Sequence, residues 1–191
     1  MEKIFFTSDL HIGHKNAISL DNRPFETVEE MDAELIRRWN NKVTADDTVY
    51  ILGDFLWTTR EKGAVSIINK LNGRKILIKG NHETVLRNKK ACECFEDIKD
   101  YAEIVVKLSD GTKQRCVLSH YFIPFYNGHF RGAIHLHGHS HESAEHFEEL
   151  KIAKELNEKG FPNRIFNVGC MLWNYEPVTL DEILNGGYLW E

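Results

Sequence analysis

Arg74-Lys75-Ile76-Leu77-Ile78-Lys79-Gly80-Asn81-His82-Glu83 is the stretch whose reading decides the architecture. Its first six residues are short, apolar at the centre and rich in β-formers, as strands covered on both faces tend to be. They run without a linker into a glycine and a cluster of polar side chains. Two earlier stretches repeat the arrangement. Residues 3–8 (Lys-Ile-Phe-Phe-Thr-Ser) lead to Asp9, and residues 47–52 (Asp-Thr-Val-Tyr-Ile-Leu) lead to Gly53-Asp54. Polar chemistry just past the carboxyl end of a buried strand is where open α/β sheets place their sites.

Helices fill the gaps. Thr27-Val28-Glu29-Glu30 has the pattern of a capping box and opens a helix to about Asn41. Met31, Leu35 and Trp39 share one face of it at four-residue spacing. A second helix is expected near 60–71, with Val65, Ile68 and Leu71 facing in and Asn72-Gly73 as its stop. The second half is more β-like. Residues 101–108 and 113–119 flank Ser109-Asp110-Gly111-Thr112, a hairpin with an Asp-Gly turn. Residues 133–137 and 164–169 read as further strands and 143–159 as a charged helix. The tail from Pro177 to Glu191 is expected to pack back on the sheet. No repeat or linker divides residues 1–191, so one domain is the simplest reading.

Composition narrows the classes. The chain has 191 residues, 42% hydrophobic and 28% charged, as in ordinary globular proteins. No apolar run approaches the ~20 residues of a membrane helix, and the start shows no targeting segment, which makes the cytoplasm the default location. A formal charge of −5 argues against a nucleic-acid backbone binder, since phosphate binding calls for a basic surface. A nucleotide-like ligand stays open, because bound divalent ions would bring positive charge of their own. Cys92, Cys94, Cys116 and Cys170 form no C-x-x-C pair and read as reduced, mostly buried thiols.

Five polar islands follow one another along the chain. They are Asp9-Leu10-His11, Gly53-Asp54, Gly80-Asn81-His82-Glu83, His120, and Gly138-His139-Ser140-His141. Together they offer two carboxylates, an amide oxygen and four imidazoles as ligands, about right for two divalent ions that share a bridge. Asp-x-His and His-x-His at a strand end would place both ligands on one side, because alternate side chains share a face. Gly53 would let the Asp54 backbone approach the ions. Asp54, arriving between the two ligand groups, is the best bridge, one oxygen to each ion.

This order of motifs resembles the calcineurin-like metallophosphoesterase superfamily, and Asn167-Val168-Gly169 resembles the strand closing that family's second sheet. The resemblance covers the whole chain with little decoration and is nearest to small bacterial or phage phosphoesterases. It implies an α/β fold: a four-layer αββα sandwich of two mixed β-sheets flanked by helices. It implies that Asp9, His11, Asp54 and His141 hold a first ion, and that Asp54, Asn81, His120 and His139 hold a second. It makes His82 the residue that meets the leaving group. The implied reaction is hydrolysis of a phosphoester by a hydroxide bridging the ions, with a phosphodiesterase on small or nucleotide-like diesters as the leading form. The ligand set suits Mn, Fe, Zn, Ni or Co, with Mn first among them.

Other residues carry two readings each. His14, Arg23 and Arg131 are substrate-binding candidates, Arg23 through a guanidinium fork on the phosphate. For both arginines a salt bridge that positions a loop is the competing reading. His135 and His137 read as core or supporting residues, His129 and His146 as surface, and Trp39 and Trp57 as core. The competing functions are a phosphomonoesterase of the same kind and a non-catalytic scaffold, against which the complete ligand set speaks. Family protein phosphatases carry Gly-Asp-x-x-Asp-Arg-Gly, whereas this chain has Gly53-Asp54-Phe55-Leu56-Trp57-Thr58-Thr59. A metallo-β-lactamase reading of 135–141 fails because Ser140 stands where that family needs Asp.

Overall fold

The computed structural model describes residues 2–58 and 61–186. Strands β1 (Ile4–Thr7), β2 (Thr48–Leu52), β3 (Arg74–Ile78) and β4 (Asp97–Lys99) run parallel, and β9 (Val178–Thr179) pairs antiparallel with β1. The order across this sheet is β4-β3-β2-β1-β9. A second sheet has the order β5-β6-β7-β8, formed by Ala102–Lys107, Lys113–Leu118, Ile134–His137 and Ile165–Asn167. There β5 and β6 make the antiparallel hairpin around the Asp-Gly turn, and β7 and β8 continue in parallel. Both sheets are therefore mixed.

Strand alternation builds the layers. Phe5, Ile51 and Leu77 point to one face of the first sheet and join Met31, Leu35 and Trp39 of helix α2 (Val28–Lys42) and Ile68 of helix α3 (Glu61–Lys70). Phe6, Leu52 and Ile78, each one residue further on, point the other way. They meet Cys116, Leu118, Ile134 and Leu136 of the second sheet. Helix α5 (Ala144–Glu158) covers the far side of that sheet, where His137 and Ile165 face His146 and Ala153. This is the four-layer sandwich. Burying Met31, Leu35 and Trp39 contributes about 1.5–3 kcal/mol each, far more than helix propensity does.

Some local details differ from the sequence reading. Thr27 Oγ accepts from Glu30 N at 3.1 Å, but the Glu30 carboxylate reaches back to Glu26 N at 2.9 Å instead of closing on the cap residue. Val65 is half-buried, whereas Ile68 and Leu71 are buried. Helices α1 (Lys15–Leu20), α4 (Lys89–Cys92) and α6 (Leu180–Gly186) and strand β4 carry too few residues to show a period. The tail does return, as β9 and α6; its last residues, 187–191, lie outside the described residues. All four cysteines are free.

What matters for function is where the strands end. Ser8 bridges Gly169 in parallel, and Cys170 N donates to Ser8 O at 2.9 Å, so the carboxyl ends of β1 and β8 are stitched together. The motif loops of both sheets open onto that seam.

Candidate metal centre

Five of the seven expected ligand residues have left-handed backbone: Asp9 (φ 56°), His11 (50°), Asp54 (51°), His139 (71°) and His141 (51°). Each such non-glycine residue costs about 1–2 kcal/mol, and such conformations persist only where the surroundings over-determine them. Here a ladder of loop hydrogen bonds does so. Asp9 N donates to Gly53 O at 3.1 Å, His11 N to Asp54 O at 3.0 Å, and Gly138 N to His120 O at 3.0 Å. The same-side placement of Asp9 with His11, and of His139 with His141, is thus made by left-handed turns beyond the strand ends. Strand alternation, the sequence-based reason, does not apply, because β1 stops at Thr7 and β7 at His137. The reason for Gly53 also changes. It adopts φ +94°, and a methyl group on it would overlap the His120 ring. Gly80 leaves room in the same way for the Asp54 carboxylate.

The ligand atoms converge as two clusters joined by Asp54. In the first, His11 Nε2 lies 3.3 Å from His141 Nε2 and 3.7 Å from Asp54 Oδ2, and His141 Nε2 lies 3.4 Å from Asp9 Oδ1. In the second, Asn81 Oδ1 lies 2.8 Å from His120 Nε2 and 3.1 Å from His139 Nδ1, and His120 Nε2 lies 3.7 Å from Asp54 Oδ1. Asp54 therefore turns one oxygen to each cluster. Asp9, Asp54 and His120 also lie close enough to hold an ion together, so Asp9 stands between the clusters as well.

The electrostatics fit a cation. Asp9 Oδ2 accepts from Ser8 Oγ at 2.6 Å and from His139 N at 3.0 Å. Its Oδ1 is buried without a hydrogen-bond partner, which is costly for a carboxylate unless a positive charge faces it. Burial works to raise the Asp9 carboxyl, but the facing His141 and Ser8 hold it well below the usual range. Burial pushes His11 down to about 3, so it presents a lone pair. At His141, burial acts downward but the hydrogen bond to Asp21 and the nearby Asp9 carboxylate outweigh it, and the ring is raised to about 10. A divalent ion must displace that proton. His120 donates from Nδ1 to Leu52 O at 2.8 Å, which turns Nε2 to the site.

The remaining candidates separate. His82 and His14 line a cleft of about 140 Å³ with His11, Asp21, Asp54, Asn81, His139 and His141. The His82 ring stands 6.2 Å from that of His11, and the His82 backbone N–H donates to Asp54 Oδ1 at 2.8 Å. His14 stacks on Trp57 at 4.3 Å. Trp57 is 38% exposed and is not core, unlike fully buried Trp39. Arg23 is corrected: it is buried, donates to Asp9 O, Leu10 O and Asp21, and braces the loop instead of entering the cleft. Arg131 is exposed on the 129–131 turn and does not line the cleft. His146 is buried on the inner face of α5, not on the surface, and His129 is half-buried. His135 and His137 are buried, stacked on each other at 5.4 Å.

Sequence reasoning missed the residues that hold the ligands. Asp21 Oδ1 accepts from His141 Nδ1 at 2.6 Å. Ser140 Oγ, between the two histidines of its motif, donates to buried Glu149 at 2.6 Å and accepts from Asn167 at 3.0 Å. Glu83 accepts from Phe55 N at 3.2 Å, and burial pushes its carboxyl up to about 8. Only Ser140 and Glu83, inside the motifs, carried a signal that proximity in sequence could have supplied.

Residues 2–173 match the family model of the calcineurin-like phosphoesterases. The chain belongs to this family, and it is a metal-dependent phosphoesterase. An uncharacterized protein of Methanocaldococcus jannaschii is 35% identical over 187 residues, 96% of this chain and 90% of that protein. The gene 66 protein of Mycobacterium phage L5 is 35% identical over 166 residues, 74% of this chain and 78% of that protein. A protein of unknown function from Aquifex aeolicus has the same fold, with a TM-score of 0.69 at 24% identity over 96% of this chain and 98% of that one. Among the described residues no helix is long and apolar enough to cross a membrane.

Proposed function

We propose that the chain is a dinuclear phosphodiesterase acting on small or nucleotide-like diesters, with Mn as its working ion. The observation that carries the two-ion reading is Asp54, whose oxygens face separate ligand clusters 3.7 Å away on either side. Asp9, His11, Asp54 and His141 would hold the first ion, and Asp54, Asn81, His120 and His139 the second. When bound, such ions lower the pKa of a water toward neutrality and draw charge from the phosphate oxygens.

The chain's own groups do the rest. His82 stands at the cleft, outside both ligand clusters, with its backbone fixed on Asp54. From there it would give a proton, or a hydrogen bond, to the oxygen that leaves phosphorus. The preference for diesters rests on the lining. Among the described residues no arginine or lysine faces the cleft. A monoester dianion would find no guanidinium fork among these residues, whereas a diester carries a single charge and needs less compensation.

Hydrolysis of bis-p-nitrophenyl phosphate and p-nitrophenyl phosphate by metal-stripped protein, with and without Mn²⁺, tests this. Metal-dependent turnover with the diester ahead is expected. The opposite preference would make it a phosphomonoesterase. Metal uptake with no turnover of either ester would leave two readings, the scaffold or an enzyme so selective that these small esters do not fit.

A further inference from the structure

We propose that Asp21 and Arg23 form a clamp that sets His141 as a ligand of the first ion, with Asp21 the positioning residue for that half of the centre. The inference rests on the ligand assignment above. Helix α1 ends at Leu20, and Asn22 turns the chain with a left-handed backbone, φ 50°. That turn brings the side chains on both sides of it, Asp21 and Arg23, back onto one carboxylate–guanidinium pair.

Each donor and acceptor of the pair is accounted for. Asp21 Oδ2 accepts from Arg23 Nε at 2.9 Å and Nη2 at 2.8 Å. Asp21 Oδ1 stays free for His141 Nδ1, at 2.6 Å. Arg23 Nη1 donates to Leu10 O at 2.8 Å and to Met31 Sδ at 3.7 Å, and Nη2 to Asp9 O at 2.8 Å. The guanidinium thus holds the carbonyls of the strained Asp9-Leu10-His11 turn, while its partner carboxylate holds the ring that closes the same ligand set from the other sheet. The Arg23 side chain is fully buried, so water does not compete for these bonds.

The consequence for His141 is chemical. With the Nδ1 proton committed to Asp21, Nε2 is the nitrogen left to take an ion, and it faces Asp9 Oδ1 and His11 Nε2. A carboxylate behind a ligating imidazole fixes its tautomer and plane, and loss of such a partner costs 10–100-fold in metal affinity as an order of magnitude. Among the described residues the second half has no such carboxylate: His120 leans on a backbone carbonyl, and His139 Nδ1 meets Asn81. The clamp therefore acts on one ion and not on the other.

Mn²⁺ titration of the metal-stripped full chain, read as bound ions per chain and as the paired-ion signal in electron paramagnetic resonance, tests this. Asp21→Asn keeps the shape and one acceptor but loses the charge. It is expected to weaken the first ion by about 10–100-fold and leave the second within about twofold, so that the paired signal gives way to a single-ion one. Arg23→Lys, which replaces the planar five-donor fork with a compact ammonium, should show the same selective loss, smaller in size. A simple loop brace would lower thermal stability without separating the two ions. Equal weakening of both ions, or of neither, in the folded variants overturns the proposal. A wild-type chain that takes up only one ion overturns the ligand assignment itself, and the clamp with it.

Discussion

In the first half of the centre, Asp9 and His11 are buried, and His141, half-exposed like His139, is braced by the Asp21 carboxylate. In the second half, His120 is buried, but Asn81 is exposed and His139 half-exposed, and Asn81 and His139 lean on one another. Asp54 joins the two. Ligands held by the fold need no rearrangement to receive an ion, whereas ligands at the rim can shift with what enters the cleft. The first half is a preformed cage, and the second is where the cleft opens.

The largest test breaks the joint. Asp54→Ala is expected to lose both ions and nearly all turnover, and retention of one ion at wild-type affinity would show that the halves are independent. His82→Ala should keep both ions and slow turnover by about 10²-fold or more, the scale of general acid catalysis. The loss should grow as the leaving group becomes less acidic, and equal losses across leaving groups would remove the acid role. Asn81→Ala should weaken the second ion by about 10-fold or more and spare the first, since it removes one rim ligand. A matched loss at the first ion would erase the distinction between the two halves.

The gentlest perturbation is pH, which leaves every side chain in place. The folded, ion-free chain holds His141 protonated up to about 10, above the ordinary histidine value of 6.5. That raised value contributes stability that is fully present below pH 6.5 and lost as pH rises through 10. Ion uptake must expel the proton, so first-ion affinity should climb between pH 7 and 9 by up to about tenfold per unit. Calorimetry in two buffers of different ionisation enthalpy would count the proton released, and a flat profile would contradict the braced state of His141.

Much of the fold was legible because its strands are short apolar runs that end at motifs. Ile76-Leu77-Ile78 before Gly80 and Ile51-Leu52 before Gly53 announce themselves by composition. α2 was legible because its inward residues repeat every four positions. Strand β4 and helix α1 were not, since three to six residues show no period. At the site, the ligand types and their order could be read. The mechanism that aims them could not: Asp9-x-His11 suggested strand alternation, and left-handed turns do the work instead. Trp57 and His146 changed places between core and surface because burial depends on which element covers a residue.

The chain alone thus determined the identity and order of the metal-binding groups, and through them the family, because ligand chemistry resides in side-chain types and in their position after strands. Only the tertiary structure decided how those groups are held. Asp21 and His141 are 120 residues apart, and no local pattern announces a bond across that distance. Arg23 illustrates the same point. Its charge invited a phosphate, but once it is buried, its donors go to the nearest unsatisfied acceptors, Asp9 O, Leu10 O and Asp21.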